Sequence, residues 1–482
     1  MPFLTSESDE DRSNDVRYSR FINAQGVTAA CLWLAAASAC VSQESNLGGS
    51  ATAAVGGRRS ILEAADQFAI PGQISGEPES ISEPSLDTGN FITDRPAATT
   101  TFRLRGRFDL DAVGTTQSAA NVATFGDLGN VVGVRRAWIG AQGDLVIGGR
   151  YISEIDLASG SVVVRDLFVG LGDRQDRGEL QAGHFLEPFS LEIGAPSYSF
   201  PFMETSPVSV LDPLRSWGLG IFRARFSETT FALGVFQAGT GPNDFEIGDG
   251  STVGLTGKLT AAPINEGDGE RLVHVGLAFS ERLPERGVIV IGVPQQATLL
   301  GLGDFPSSPF APRISIPASF QQLLNLQCAA ANGPFWTQAE WYGTWIDQRG
   351  GGGVFFHGCH ADCGYFLTGE HRPYQGASGT FGPIRVNRPL LGCHATPDRP
   401  AGWGAWELAA RFSYLDFRDS DTPRGPTGQL VGLRLPDFTF GVNWYLADHL
   451  RLMFNYAYVL PDGPNTGTSA ANVFAARLGI YW

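Results

Sequence analysis

Phe474-Ala475-Ala476-Arg477-Leu478-Gly479-Ile480-Tyr481-Trp482 decides the fold. Phe474, Ala476, Leu478, Ile480 and Trp482 fall on one face of an extended chain, and Ala475, Arg477, Gly479 and Tyr481 on the other. Side chains alternate across a β-strand, so this segment has one greasy face and one more polar face. A strand of this kind ending on an aromatic residue is expected of a closed barrel in lipid. A lipid-facing wall around a polar lumen implies passage of a solute.

The same period of two runs back through the chain and outweighs any period of 3.6. Phe102, Leu104, Phe108 and Leu110 alternate with Arg103, Arg105, Arg107 and Asp109. Each arginine would cost about 2–4 kcal/mol at mid-depth in lipid, so that face must meet water or partners. Phe222, Ala224 and Phe226 oppose Arg223 and Arg225; Leu255 and Leu259 oppose Lys258 and Thr260. Val273, Val275, Leu277 and Phe279 oppose His274 and Ser280. Trp406, Leu408, Ala410, Phe412 and Tyr414 oppose Glu407, Arg411 and Ser413. Phe438, Phe440, Val442 and Trp444 oppose Thr439 and Asn443, and Leu450, Leu452, Phe454, Tyr456 and Tyr458 oppose Arg451 and Asn455.

Short turns such as Ala447-Asp448-His449 alternate with long connections at 239–250, 281–318, 372–403 and 460–470. Short turns on one rim and long loops on the other are expected of outer-membrane barrels. The fold class read from this is all-β: a transmembrane antiparallel β-barrel of about 16 strands over residues 100–482. A soluble sandwich or propeller is the competing reading, disfavoured by the export signal described next and by terminal Trp482.

The chain has 482 residues and is 43% hydrophobic, yet no apolar run beyond its N-terminal region approaches the ~18 residues of a membrane helix. Residues 1–40 read as an export signal region: Arg12, Arg17 and Arg20 precede an apolar run from Val27 to Ala39, and Ala37-Ser38-Ala39 has the form of a cleavage site. Cys40 follows directly, which leaves lipoprotein processing open. Residues 41–99 are rich in Ser, Gly, Pro, Ala and Glu and read as a flexible periplasmic linker. The net charge of −15 argues against nucleic acid as a partner. It leaves an anion path open, because lumen and loops can carry opposite signs. Lys258 is the single lysine; the other basic residues are arginine, whose planar fork binds oxyanions at two points.

Five stretches together resemble the phosphate-selective porin O/P family. They are GHFLEPFSLE (Gly183 to Glu192) with Ser199 to Glu204 after it, Gly333 to Trp341, Tyr365 to Tyr374, Gly404 to Phe417 and Gly441 to Val459. The resemblance covers roughly 101–482 and implies a sixteen-stranded, usually trimeric outer-membrane barrel that passes anions. It implies basic residues along the lumen, carried here by Arg103, Arg105, Arg107, Arg135, Arg136, Arg223, Arg225, Lys258, Arg411 and Arg451. Arg135-Arg136 looks like a family arginine pair. Glu187, Pro188, Phe189, Ser190, Glu192 and Glu204 look like part of a loop that folds inward and narrows the pore. Family members that select phosphate also use lysines, which this chain all but lacks.

The arginines admit two readings. They can replace an anion's water shell with bidentate hydrogen bonds at successive weak sites. They can equally pair with Asp109, Glu179, Glu340 and Glu407 as salt bridges of the wall. Cys328, Cys359, Cys363 and Cys393 are candidate disulfide cysteines in an oxidising compartment. His357, Cys359, His360 and Cys363 with Cys393-His394 also look like a metal cluster, though C-x₃-C is not the usual zinc spacing; the thiols can also be free. No G-x-S-x-G, H-E-x-x-H or Walker A sequence occurs. Trp341, Trp345, Trp406, Trp444 and Trp482 read as lipid-interface anchors. The expectation is a porin, not an enzyme, with no cofactor and no metal. It sits in outer-membrane lipid as a homotrimer and passes small anions, phosphate first. A broad-specificity pore is the runner-up, and a structural or adhesive barrel the alternative of another class.

Overall fold

The computed structural model describes residues 99–482 except 159, 161, 175–177, 226–227, 239–251, 286, 292–309, 311–313, 420–431 and 464–466. The export region, all of the linker but its last residue, the 239–250 connection and parts of 281–318 and 460–470 lie outside the described residues.

Sixteen strands form one closed antiparallel barrel. The first eight are Arg103–Gln117 (β1), Asn130–Asp144 (β2), Gly149–Asp156 (β3), Val163–Asp173 (β4), Gly178–Leu186 (β5), Arg215–Arg225 (β6), Thr229–Ala238 (β7) and Thr252–Glu266 (β8). Arg271–Pro284 (β9), Ile314–Asn332 (β10), Phe335–Gln348 (β11), Gly353–Phe366 (β12), Ala405–Asp416 (β13), Arg434–Ala447 (β14), Leu450–Val459 (β15) and Ala471–Tyr481 (β16) follow. β16 returns to β1, from Arg107 opposite Tyr481 to Gln117 opposite Ala471. Closure leaves no strand edge, which lipid requires because it offers no hydrogen-bonding partner.

The parity read from the sequence holds on most of the wall. In β16, Phe474 and Ile480 are exposed outward while Arg477 and Tyr481 are buried inward. β9, β14 and β15 alternate in the same sense. Trp406 stacks on Trp444 at 4.9 Å on the outer face near one rim, and Trp345 meets Phe355 at 4.9 Å near the other. β6 departs from the expected parity. Ser216, Gly220 and Ala224 are its buried positions, and Phe222 shares their face and packs against a buried aromatic cluster. Arg223 shares the exposed face of Leu219 and Ile221 at the strand's end. Arg223 therefore does not line the lumen: its place beside the turn lets a charged side chain reach the interfacial water. The Arg225 side chain lies outside the described residues.

The connection Leu367–Gly404 corrects a second expectation. β1 starts, and β16 ends, on the rim that carries the short turns, including Gly333-Pro334 and Asp448-His449. Counting strands, β12 ends and β13 begins on that same rim. The long 367–404 connection is therefore on the short-turn side, which in such barrels is the periplasmic side. Its Phe381, Ile384 and Val386 are buried against Trp336, Phe366 and Tyr445 of the wall.

No disulfide joins Cys328, Cys359 and Cys363 to one another. Cys328 is exposed on the outer face of β10, and Cys359 and Cys363 lie on the outward parity of β12. β11 separates the two strands, and the register sets Cys328 two residues off from each of the others, about 12 Å away, while residues four apart on one strand lie about 13 Å apart. Both spans exceed disulfide reach. His360 points inward, away from those thiols. Among the described residues no cluster of metal-ligating side chains is found. The Cys393 side chain lies outside the described residues. Unfolding the barrel in SDS without reductant is expected to make Cys328 and Cys359 fully reactive to maleimide; labelling that requires prior reduction would disprove the free-thiol arrangement.

Candidate functional site: the lumen wall and its in-folded segment

Residues 187–214, between β5 and β6, enter the barrel from the long-loop rim and are held by hydrogen bonds to lumen-facing side chains. Glu187 accepts from Ser216 at 2.7 Å, Thr256 at 2.6 Å and Arg282 at 2.6 Å. The buried Glu340 carboxylate of β11 accepts from the Leu191 and Glu192 amides, both at 2.8 Å, and from Ser190 Oγ at 3.3 Å. Lys258 donates to the Ser190 carbonyl at 2.8 Å, and Gln327 to that of Phe189. Arg411 bridges Glu192 to Asp362. His360 sits among Asp362, Glu340 and Glu192, at 3.1, 3.3 and 3.7 Å.

Further along, Arg451 donates to the Phe200 carbonyl at 2.8 Å and Arg107 to Ser197 Oγ at 2.6 Å. Glu204 takes three arginines: Arg136 at 2.6 Å, Arg477 at 2.6 Å and Arg135 at 3.3 Å. Burial pushes the Glu204 carboxyl up, but the three guanidiniums outweigh it and hold it below the usual carboxylate range. Glu187, Phe189, Ser190, Glu192 and Glu204 are all buried; Pro188 is half-buried.

Two successive arginines reach one carboxylate because of a β-bulge. Asp109 faces Arg136, and the next residue, Leu110, faces Val134, so Arg135 is the extra residue. A bulge sets two residues against one and re-aims a side chain, which brings Arg135 onto the lumen side beside Arg136. The same device recurs between β3 and β4. Ser153 faces Leu167 and Ile155 faces Val164, leaving Arg165 and Asp166 together opposite Glu154.

The segment's contacts run from β8 around the wall to β2, leaving most of β3–β7 without a partner from it. On that uncovered side the arginines are more accessible. Glu154 is bracketed by Arg105 at 2.9 Å and Arg165 at 3.4 Å, and Glu179 by Arg150 at 2.9 Å and Arg174 at 3.3 Å. Asp166 accepts both forks of Arg215 at 3.1 Å. These five arginine side chains are 21–27% exposed. The side chains of Arg107, Arg136, Arg411 and Arg477 are at most 9% exposed. Gly170 makes room for the Glu179 bracket: a Cβ there would lie 2.6 Å from the Glu179 carboxylate.

Of the residues expected to line the lumen, Arg105 alone joins this accessible column. Arg107, Arg135, Arg136, Arg411, Arg451 and Lys258 bind the in-folded segment or the wall, and Arg103 is exposed at the start of β1. The wall-pairing reading holds for Asp109, which meets Arg107 and Arg136, and for Glu179. It does not hold for Glu407, whose hydrogen bonds come from Trp336, Asn443 and Tyr445 at 2.8 Å each. The sequence pattern does not single out Arg150, Arg165, Arg174 and Arg215. For Arg165 the bulge breaks the alternation, and adjacent charges such as Arg135-Arg136 and Arg165-Asp166 inside a strand pattern are its signal; Arg174 lies in a turn and Arg215 at the first position of β6, where alternation gives no guide.

Known proteins give the lineage. The family model described as phosphate-selective porin O and P matches residues 102–482. An uncharacterized protein of Caulobacter vibrioides is 28% identical over 74% of this chain and 68% of its own length. Porin O of Pseudomonas aeruginosa is 23% identical over 53% of this chain, and the match spans 59% of that relative. Among solved structures, an anion-selective porin from Comamonas acidovorans aligns over 80% of this chain and 100% of its own, with 12% identity and a TM-score of 0.48. The channel DcaP of Acinetobacter baumannii aligns over 80% and 99%, with 10% identity and a TM-score of 0.49. With its barrel matched across 102–482, the chain belongs to the phosphate-selective porin O and P family and is an outer-membrane porin, a channel and not an enzyme.

Proposed function

We propose that the barrel passes small anions, phosphate foremost, along the β1–β7 side of the lumen, past the in-folded segment that narrows it. The observation that carries this reading is the contrast in exposure between the two sets of arginines. Those gripping the segment are spent, whereas the side chains of Arg105, Arg150, Arg165, Arg174 and Arg215 stay 21–27% exposed and available to a solute. Guanidinium forks replace the hydration of an oxyanion, and several weak sites in succession let it move on. Glu154, Glu179 and Asp166 offset part of the positive charge, which favours passage over capture and also supports a second reading, a general small-solute pore of weak selectivity.

The test is the reversal potential of the refolded barrel in a planar bilayer under a KCl gradient, with phosphate then added. Chloride preference with current blocked by phosphate is the expected result. Cation preference would overturn the anion reading, and absence of current would favour a structural or adhesive barrel. We also propose a homotrimer in outer-membrane lipid, in keeping with the trimer form described for OmpT of Vibrio cholerae. A monomeric mass in mild detergent would contradict it.

A further inference from the structure

The lumen side of β4–β7 carries an apolar cluster where a channel for inorganic ions needs none. Phe185 lies at its centre, edge-on to Phe168 at 5.8 Å, Phe222 at 6.0 Å and Phe236 at 5.5 Å, with Ile152 packed beside it. Phe236 lies flat over Gly218, where a Cβ would come within 2.3 Å of its ring. Phe222 and Ile152 remain half-exposed at the edge of the cluster. The arginines of the accessible column lie on these rings: Arg174 over Phe222 at 4.6 Å and Arg150 over Phe168 at 5.0 Å. Arg165 lies over Trp138 at 3.6 Å. Arg150 commits Nε and Nη2 to Glu179, and its side chain is still 23% exposed.

Phe185 and Phe236 are covered, but the half-exposed edge at Phe222 and Ile152 leaves apolar surface that is unfavourable beside a water path unless something covers it. Cationic forks beside aromatic rings match a solute with a negative head and a flat apolar body. We propose that Arg150, Arg174, Phe222 and Ile152 form a subsite for aromatic monocarboxylates, so that the channel favours organic anions carrying a ring over small anions of equal charge. This rests on the anion reading above and names a solute class for it.

The test compares block of the chloride current by benzoate and by acetate, which share head and charge and differ in the ring. Half-block by benzoate is expected at a concentration about tenfold lower than by acetate, the scale of one ring contact with a cation and an apolar wall. Phe222→Ala is expected to bring the two within about twofold, and Arg174→Gln to weaken both together. Equal half-block by benzoate and acetate in the unaltered channel overturns the subsite, whether or not the variants fold. A channel without anion preference in KCl alone overturns the anion reading instead, so the two failures are distinguishable.

Discussion

Glu204→Ala is expected to release the in-folded segment and to destabilise the barrel by about 3–5 kcal/mol, the cost of leaving buried charges without their partner. Arg135, Arg136 and Arg477 converge on this one carboxylate, which is 3% exposed. Arg136 retains Asp109 and Arg477 retains Asp111 after the change, so the loss falls on the in-folded segment more than on these two arginines. The refolded variant should lose its compact migration in SDS at a lower temperature, and its single-channel current should become larger and noisier. Unchanged melting and unchanged current would show that Glu204 does not hold the segment.

The pH dependence follows with a definite sign. The folded-state pKa of Glu204 is depressed by its three arginines. Its stabilisation is therefore fully present above the unfolded carboxylate value of about 4.3 and is lost as the pH falls through the lower folded value. From about pH 4 downward the stability advantage of the native channel over Glu204→Gln should shrink, vanishing only below the depressed folded value, while the variant itself should respond less to acid. Identical acid profiles for the two would contradict the assignment.

The alternation of β9 and β13–β16 gave the barrel away, because their outward faces meet lipid with little interruption and their polar residues point in. Strand parity fails as a guide wherever the ladder slips. The bulges at Arg135 and Arg165 place two consecutive charges toward one partner, and no strict period of two contains that. β6 is legible only once its inward positions are seen to pack aromatic rings inside the barrel instead of polar groups, so Phe222 and Arg223 exchange their expected faces. The role of each arginine is a question of what the 187–214 segment covers. That depends on contacts more than a hundred residues apart, such as Arg411 with Glu192 and Arg477 with Glu204, which local pattern does not encode.

Opposite changes at one bracket are expected to move ion selectivity in opposite directions. Arg150 and Arg174 both hold Glu179 near the short-turn rim. Replacing both arginines with glutamine removes two positive charges and leaves the Glu179 carboxylate facing the path alone. Replacing Glu179 with glutamine does the reverse and leaves two uncompensated guanidiniums. A unit charge about 5 Å from a passing ion contributes about 1–3 kcal/mol in a wet, partly screened lumen. The double arginine variant should therefore shift the permeability ratio toward cations by about five- to a hundredfold, and Glu179→Gln should shift it toward anions. Both shifts should shrink as salt rises from 0.1 M to 1 M, where the Debye length falls from about 10 Å to about 3 Å. Salt bridges that only brace the wall would lower the melting temperature in both variants and leave the reversal potential where it was. A reversal potential that moves in the same direction for both would mean that the current bypasses this side of the lumen. Opposite signs, each weakened by salt, would place the bracket on the ion path.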